Sequence, residues 1–179
     1  MNSPSSPPLQ TQPDFIPYEC TIPELIYKKC GSGGQQERIA LIFDSEKLAM
    51  TYGRIRTEME QLAAGLLASG LKPADRLLIC GFNHSQLVVA ALAACRAGLV
   101  FSLASPNFSQ PEQLKHMLQV GEFAAILMFS STGGGSDKAY QLVSAVCPEV
   151  RACHCGQTKS KALRKLTHII LADEDHKHA

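Results

Sequence analysis

No charge of either sign dominates this sequence. Its 179 residues hold 17 Lys and Arg against 16 Asp and Glu, a formal charge of +1. That balance leaves no broad electrostatic footprint for nucleic acid or an anionic membrane surface. Long hydrophobic runs are also missing, since polar residues interrupt every apolar stretch well before the ~20 residues that span a bilayer. No internal repeat occurs at any fixed period. A membrane channel, a collagen-like rod, a coiled coil and a fully disordered chain are thereby excluded. The seven cysteines lack regular spacing, which argues against a disulfide scaffold, and an odd count suits a reducing compartment. Cys80 and Cys95 lie among apolar neighbours, where a thiol behaves as a small hydrophobe. Residues 1–27 contain neither Lys nor Arg and no apolar core of the ~7–15 residues a secretory signal needs, so the usual secretory and mitochondrial import patterns are absent from them.

Apolar residues make up 45% of the chain, the share of an ordinary globular protein, and the length suits roughly one domain of ~100–200 residues. Residues 1–13 (MNSPSSPPLQTQP) hold four Pro and three Ser without a charge. Such a segment cannot bury enough apolar surface to offset its ordering entropy, and a disordered arm is expected. Residues 173–179 (DEDHKHA) read as a polar tail, or as the place where a longer sequence is cut. The expected domain covers residues 14–172.

Within it, Thr21-Ile22-Pro23-Glu24 is a capping box opening a short helix through Cys30. Residues 39–43 (IALIF) read as a strand, Asp44 to Lys47 as a polar turn, and Leu48 to Met50 as the returning hairpin arm. Thr51 caps a helix over 52–69 whose apolar stripe is Ile55, Met59, Leu62, Ala63, Leu66 and Leu67. Gly70 stands where a left-handed residue ends such a helix. Then come strand 77–80 (LLIC), helix 86–97, strand 99–103 and a helix opened by a second capping box, Ser109 to Glu112. Strand 124–129 follows, with helix 138–146 and strand 167–171 after it. Alternating strands and helices require parallel strands with helices over the faces. The expected fold is therefore α/β and three-layered, with a mostly parallel sheet. The continuous apolar strands agree, because a strand buried on both faces need not alternate.

In this order the residues resemble a known family. Thr51-Tyr52 is similar to the "LTYxxL" helix start of adenylate-forming enzymes, the AMP-dependent synthetases and ligases. Residues 62–76, with Gly65-Leu66, Gly70 and Ala74-Asp75-Arg76, resemble their "A.GL...G...GDRV" run. Asn83-His84-Ser85 falls at their "PNS" loop, Ala93 to Gly98 at their "A...GA" helix end, and Leu103 to Phe108 at their "..NP.." turn. Cys147-Pro148-Glu149-Val150, a basic stretch and Leu166 to Ile170 resemble the medium-chain acyl-CoA synthetase branch. The resemblance implies the first part of an N-terminal domain. It also implies that the complete family activates a fatty acid with ATP and Mg2+ and passes the acyl group to coenzyme A. Mitochondria are the implied compartment, with the cytoplasm as the alternative given residues 1–27. The family's Thr/Ser/Gly-rich loop ending in Pro-Lys-Gly, its Tyr/Thr-Glu motif, its ribose-binding Asp and its C-terminal lobe are not found in these residues. Gly81-Phe82-Asn83 also departs from the usual Pro before Asn. The expectation is a truncated synthetase, inactive alone, that binds no cofactor itself. The alternative is a non-catalytic interaction module or regulatory short isoform that meets itself or a chaperone through an exposed sheet edge.

Four local patterns invite chemistry, and none carries it. Ser131 to Lys138 (STGGGSDK) imitates a phosphate loop, but Asp137 stands where the Walker pattern needs Gly, and its charge would repel phosphate. A surface loop is expected there. Cys153-His154-Cys155 is one tight cluster where structural zinc needs four ligands, and His168, in an apolar strand, reads as a packed residue. Cys95 and His84 lie about three turns apart on one helix, too far for a nucleophile pair. Lys159, Lys161, Arg164 and Lys165 read as a solvated face. No catalytic residue and no metal ligand is assigned, and the cofactor-binding residues stay unassigned.

Overall fold

The computed structural model describes residues 19–31, 33–105, 107–108, 110–129, 135–152 and 158–172. The arm over 1–13, the tail over 173–179 and Cys153 to Cys155 lie outside the described residues.

The chain begins with helix α1 (Ile22–Gly31). Its capping box forms: the Thr21 N–H donates to Glu24 Oε2 at 2.7 Å, and the Glu24 N–H to Thr21 Oγ1 at 3.4 Å. Strands β1 (Ile39–Phe43) and β2 (Leu48–Thr51) make an antiparallel hairpin with an irregularity between Ile39 and Leu41. Helix α2 (Tyr52–Ala68) follows, capped by Thr51 Oγ1, which accepts from the Arg54 N–H at 3.2 Å. Its buried stripe is Ile55, Met59, Ala63 and Leu66, while Arg54–Glu58 and Arg56–Glu60 pair one turn apart on the wet side. Leu67 departs from the expected stripe and is 41% exposed. One residue is ~100° of helix rotation, which carries Leu67 off the face that Leu66 buries. Helix α1, the hairpin and α2 close over a small core of Ile26, Met50, Ile55 and Met59, which also includes Val89.

The larger part alternates: β3 (Arg76–Cys80), α3 (Ser85–Arg96), β4 (Val100–Ala104), α4 (Pro111–Val120), β5 (Ala125–Phe129), α5 (Gly135–Val146) and β6 (His168–Ala172). The four strands form one parallel sheet in the order β4-β3-β5-β6. Successive strand side chains point to opposite faces. Leu77, Ile79, Ala125 and Leu127 therefore meet Ala63, Leu66, Ala90 and Ala93 from α2 and α3. Leu78, Cys80, Ile126 and Met128 meet Leu114, Leu118, Val143 and Val146 from α4 and α5. Burial on both faces is why these strands read as unbroken apolar runs. Alanines at 90, 93 and 94, all fully buried, let α3 lie close to both the sheet and α2.

Two helix starts differ from expectation. Helix α4 begins at Pro111 with Gln110 as its cap residue, whose side chain makes no cap bond. Ser109 itself is outside the described residues. Helix α5 begins at Gly135, three residues before the expected start. The Cys-Pro-Glu-Val segment makes a 3-10 turn (Pro148–Ala152). There Glu149 accepts from the Lys161 N–H at 3.1 Å and from the buried Cys147 thiol at 3.4 Å, tying the turn to the segment before β6. Among the described residues, no helix is long and apolar enough to cross a membrane.

The turn into β3 holds a strained residue. Ala74 has φ 71°, where a Cβ crowds the backbone, and it occupies the position of the Gly in the resembled "GDRV" run. Its N–H donates to the Gly98 carbonyl at 2.8 Å, and Gly98 itself has φ 72°. Replacing Ala74 with Gly removes the crowding and keeps the bond. The expected outcome for Ala74→Gly is a gain of roughly 0.5–1 kcal/mol, read as a higher urea midpoint with unchanged slope.

Candidate functional site

In an open parallel sheet, a ligand crevice forms past the carboxyl ends of adjacent strands whose connections leave in opposite directions. β3 and β5 are such a pair. The chain leaves β3 for β4 on one side and leaves β5 for β6 on the other. At that point the structure has an open cleft of about 620 Å³, within the usual range for small-molecule sites. Phe82 after β3, Phe108 before α4, and Met128 and Phe129 at the end of β5 supply an apolar, ring-rich surface, with Asn107 and Lys138 on the rim. Lys138 is the single charged residue among the described lining residues. It lies on the first turn of α5, whose N-terminus carries the positive end of the helix dipole. The cleft is thus shaped to hold a flat or apolar group beside an anion. Its described lining contains no carboxylate, thiol, imidazole or serine, and what it offers a ligand is apolar surface and the Lys138 ammonium.

The floor depends on Gly81. A Cβ there would stand 2.9 Å from Phe129 Cδ2 and 3.3 Å from Leu87 Cδ1, closer than carbon atoms normally approach.

The rim is held from outside the sheet. Helix α3 starts at Ser85, and its cap residue, His84, makes no side-chain cap bond. Instead Glu46, from the β1–β2 turn, accepts the Ser85 N–H at 2.7 Å and the Ser85 hydroxyl at 2.6 Å, and it stands 3.4 Å from His84 Nδ1. A carboxylate at a helix N-terminus meets both unsatisfied N–H groups and the helix dipole. Burial pushes the Glu46 carboxyl up, but the two Ser85 hydrogen bonds and the neighbouring His84 outweigh it and hold the group below its ordinary value of 4.5. Nothing in the sequence signals this partner: Ser85 reads as its own cap, and Glu46 lies 39 positions earlier.

Of the four patterns singled out in the sequence, the glycine-rich one changes most. Residues 131–134 lie outside the described residues, residues 135–138 form the start of α5 rather than a surface loop, and Lys138 lines the cleft. His84 is engaged with Glu46, and Cys95, half-buried, is pushed up by burial. His168 is buried, and both ring nitrogens have partners, the Ser69 carbonyl and Thr167 Oγ1, each at 2.8 Å. Lys159, Lys161, Arg164 and Lys165 are exposed, as a solvated face requires. Among the described residues, no three His, Cys, Asp or Glu side chains converge on a metal position.

Residues 31–177 match the family described as AMP-binding enzyme. The chain is 30% identical over 134 residues to the mitochondrial medium-chain acyl-CoA ligase ACSF2 of Bos taurus, covering 75% of this chain and 21% of that protein. The Homo sapiens ligase of the same name is also 30% identical, over 137 residues, 76% of this chain and 22% of that protein. The chain therefore spans about a fifth of the length of the curated relatives it matches. Among solved structures, the luciferase-like enzyme of the mealworm Zophobas morio superposes with a TM-score of 0.66 at 18% identity, over 92% of this chain and 34% of that one.

Two outcomes follow from this geometry. A carboxyl depressed in the fold contributes stability above its unfolded value, and that contribution is lost as pH falls through the lower folded value. Glu46→Gln should therefore lower the urea midpoint at about pH 7 and flatten its fall toward about pH 4, compared with the parent chain. Burial pushes the Cys80 thiol up to about 12, so in the folded chain Cys80 should escape iodoacetamide at about pH 8 while half-buried Cys20 is labelled. Peptide mass spectrometry reads both.

Proposed function

We propose, from the premise that the chain belongs to the AMP-binding enzyme family, that these residues form part of the N-terminal domain of an acyl-CoA ligase for medium-chain fatty acids. In this reading the domain covers residues 14–172, flanked by the arm and the tail, and it works in mitochondria, the compartment in its relatives' names. The observation that carries the reading is the cleft at the β3/β5 crevice, whose described lining offers rings and the Lys138 cation for holding a ligand. In the complete family a fatty-acid carboxylate attacks the α-phosphorus of ATP and expels pyrophosphate. The coenzyme A thiol then attacks the acyl carbon and expels AMP. Mg2+ takes oxygen ligands, and the described cleft lining has no carboxylate to offer, so the residues described do not fit the metal. Their part is to bind and to orient: aromatic faces for a ring or chain, Lys138 for an anionic group, and a rim fixed by Glu46.

These 179 residues alone should show no ligase activity. With octanoate, ATP, Mg2+ and coenzyme A, pyrophosphate should stay at the no-protein blank. Release above the blank overturns the reading of an inert scaffold.

A second reading, an interaction module that meets another copy or a chaperone through an open sheet edge, is favoured by one observation. Edge strand β4 leaves Val100 56% and Leu103 53% exposed.

A further inference from the structure

We propose that β4 is a self-pairing edge, through which two copies of this chain join antiparallel about a two-fold axis at Ser102. The inference rests on the interaction reading above and is independent of the ligase reading. The direction of the backbone groups is set by two bonds. The Val100 N–H donates to the Asp75 carbonyl at 2.9 Å, and the Gly81 N–H donates to the Ala104 carbonyl at 3.4 Å. In a parallel ladder such groups alternate, so residues 100, 102 and 104 bond toward β3, while the N–H and C=O of Phe101 and Leu103 point outward.

An antiparallel copy centred on Ser102 meets those groups in register. Phe101 of each chain faces Leu103 of the other, and each such pair exchanges two N–H···O bonds, which closes all four outward groups per strand. Val100 then stands opposite Ala104 of the second copy, and Ser102 opposite itself. Phe101 packs into the α2/α3 side of the core, and alternation puts Leu103 on the same side. The exposed Leu103 is covered by the neighbouring Phe101, and a continuous apolar strip crosses the joint.

Edges β6 and β1 do not offer this. β6 has no exposed residue, its burial running from buried to intermediate. β1 carries exposed Ile39 and Ile42, but its ladder is irregular between Ile39 and Leu41, and such irregularities blunt an edge. β4 (VFSLA) carries no charge, proline or glycine, so it lacks the usual protections against edge pairing. A formal charge of +1 adds little repulsion between copies. The joint is small, which makes the dimer weak and dependent on concentration.

Sedimentation equilibrium of the 179-residue chain should show a monomer–dimer equilibrium that saturates at twice the monomer mass. Ser102 is exposed, so Ser102→Lys and Ser102→Glu should each fold with the parent's circular dichroism and melting curve. Each alone sets like charges face to face and should weaken association about tenfold or more. An equimolar mixture of the two should restore it. Leu103→Pro removes an outward N–H without touching the bonds to β3 and should also weaken the dimer; if it fails to fold, the Ser102 pair decides. A chain that stays monomeric at every concentration overturns both this inference and self-association itself. Association that ignores the Ser102 charges, or charge variants whose mixture stays monomeric, overturns the β4 register while leaving self-association by another surface standing.

Discussion

Two-sided burial of the central parallel strands β3 and β5 is the constraint on which the rest of the molecule depends. A parallel strand cannot return by a tight turn, so each must be followed by a crossing segment, and each crossing lays its apolar stripe on one face of the sheet. Leu77 and Ile79 need α2 and α3, and Leu78 and Cys80 need α4 and α5. Placing α3 on one face and α5 on the other goes with the parting of the connections that leave β3 and β5. The crevice is therefore a product of the packing, available before any residue is chosen for binding.

The hairpin lobe and the sheet are coupled through packing and polar contacts. Helix α2 belongs to both cores, with Met59 in one and Ala63 and Leu66 in the other, so the two parts already share a wall. Glu46 adds a polar joint at the far end, where it satisfies the start of α3 just beyond the loop that carries Phe82. Through that joint the conformation of a surface turn between β1 and β2 bears on the rim of a cleft built by other elements.

Much of this was legible in the residues because local chemistry and tertiary need agree. The TIPE box, the Thr51 cap, the unbroken LLIC and AILMF runs and the left-handed Gly70 each state their role within a few positions, and the structure places them accordingly. What stayed hidden are relations between distant segments. Ser85 has the right side chain for a cap, yet α3 takes its cap from Glu46. Lys138 read as the end of a loop because the glycines before it carry no periodic signal, and only the position of α5 over the sheet brings it to the cleft. Gly121 ends α4 without a left-handed conformation of its own. The left-handed residue is Glu122, at φ 48°, and Gly121 is bare because a Cβ would run into the Phe123 ring.

Gly81 gives the cleft an indirect control. It is absent from the lining, yet the missing methyl is the clearance that lets the Phe129 side chain sit against the β3 end. Any larger residue at 81 would have to turn that ring, and the ring is part of the wall. The width available to a bound molecule is thus governed by a position that never touches it, so ligand preference could drift in this scaffold through a neighbour of the wall with every contacting residue unchanged.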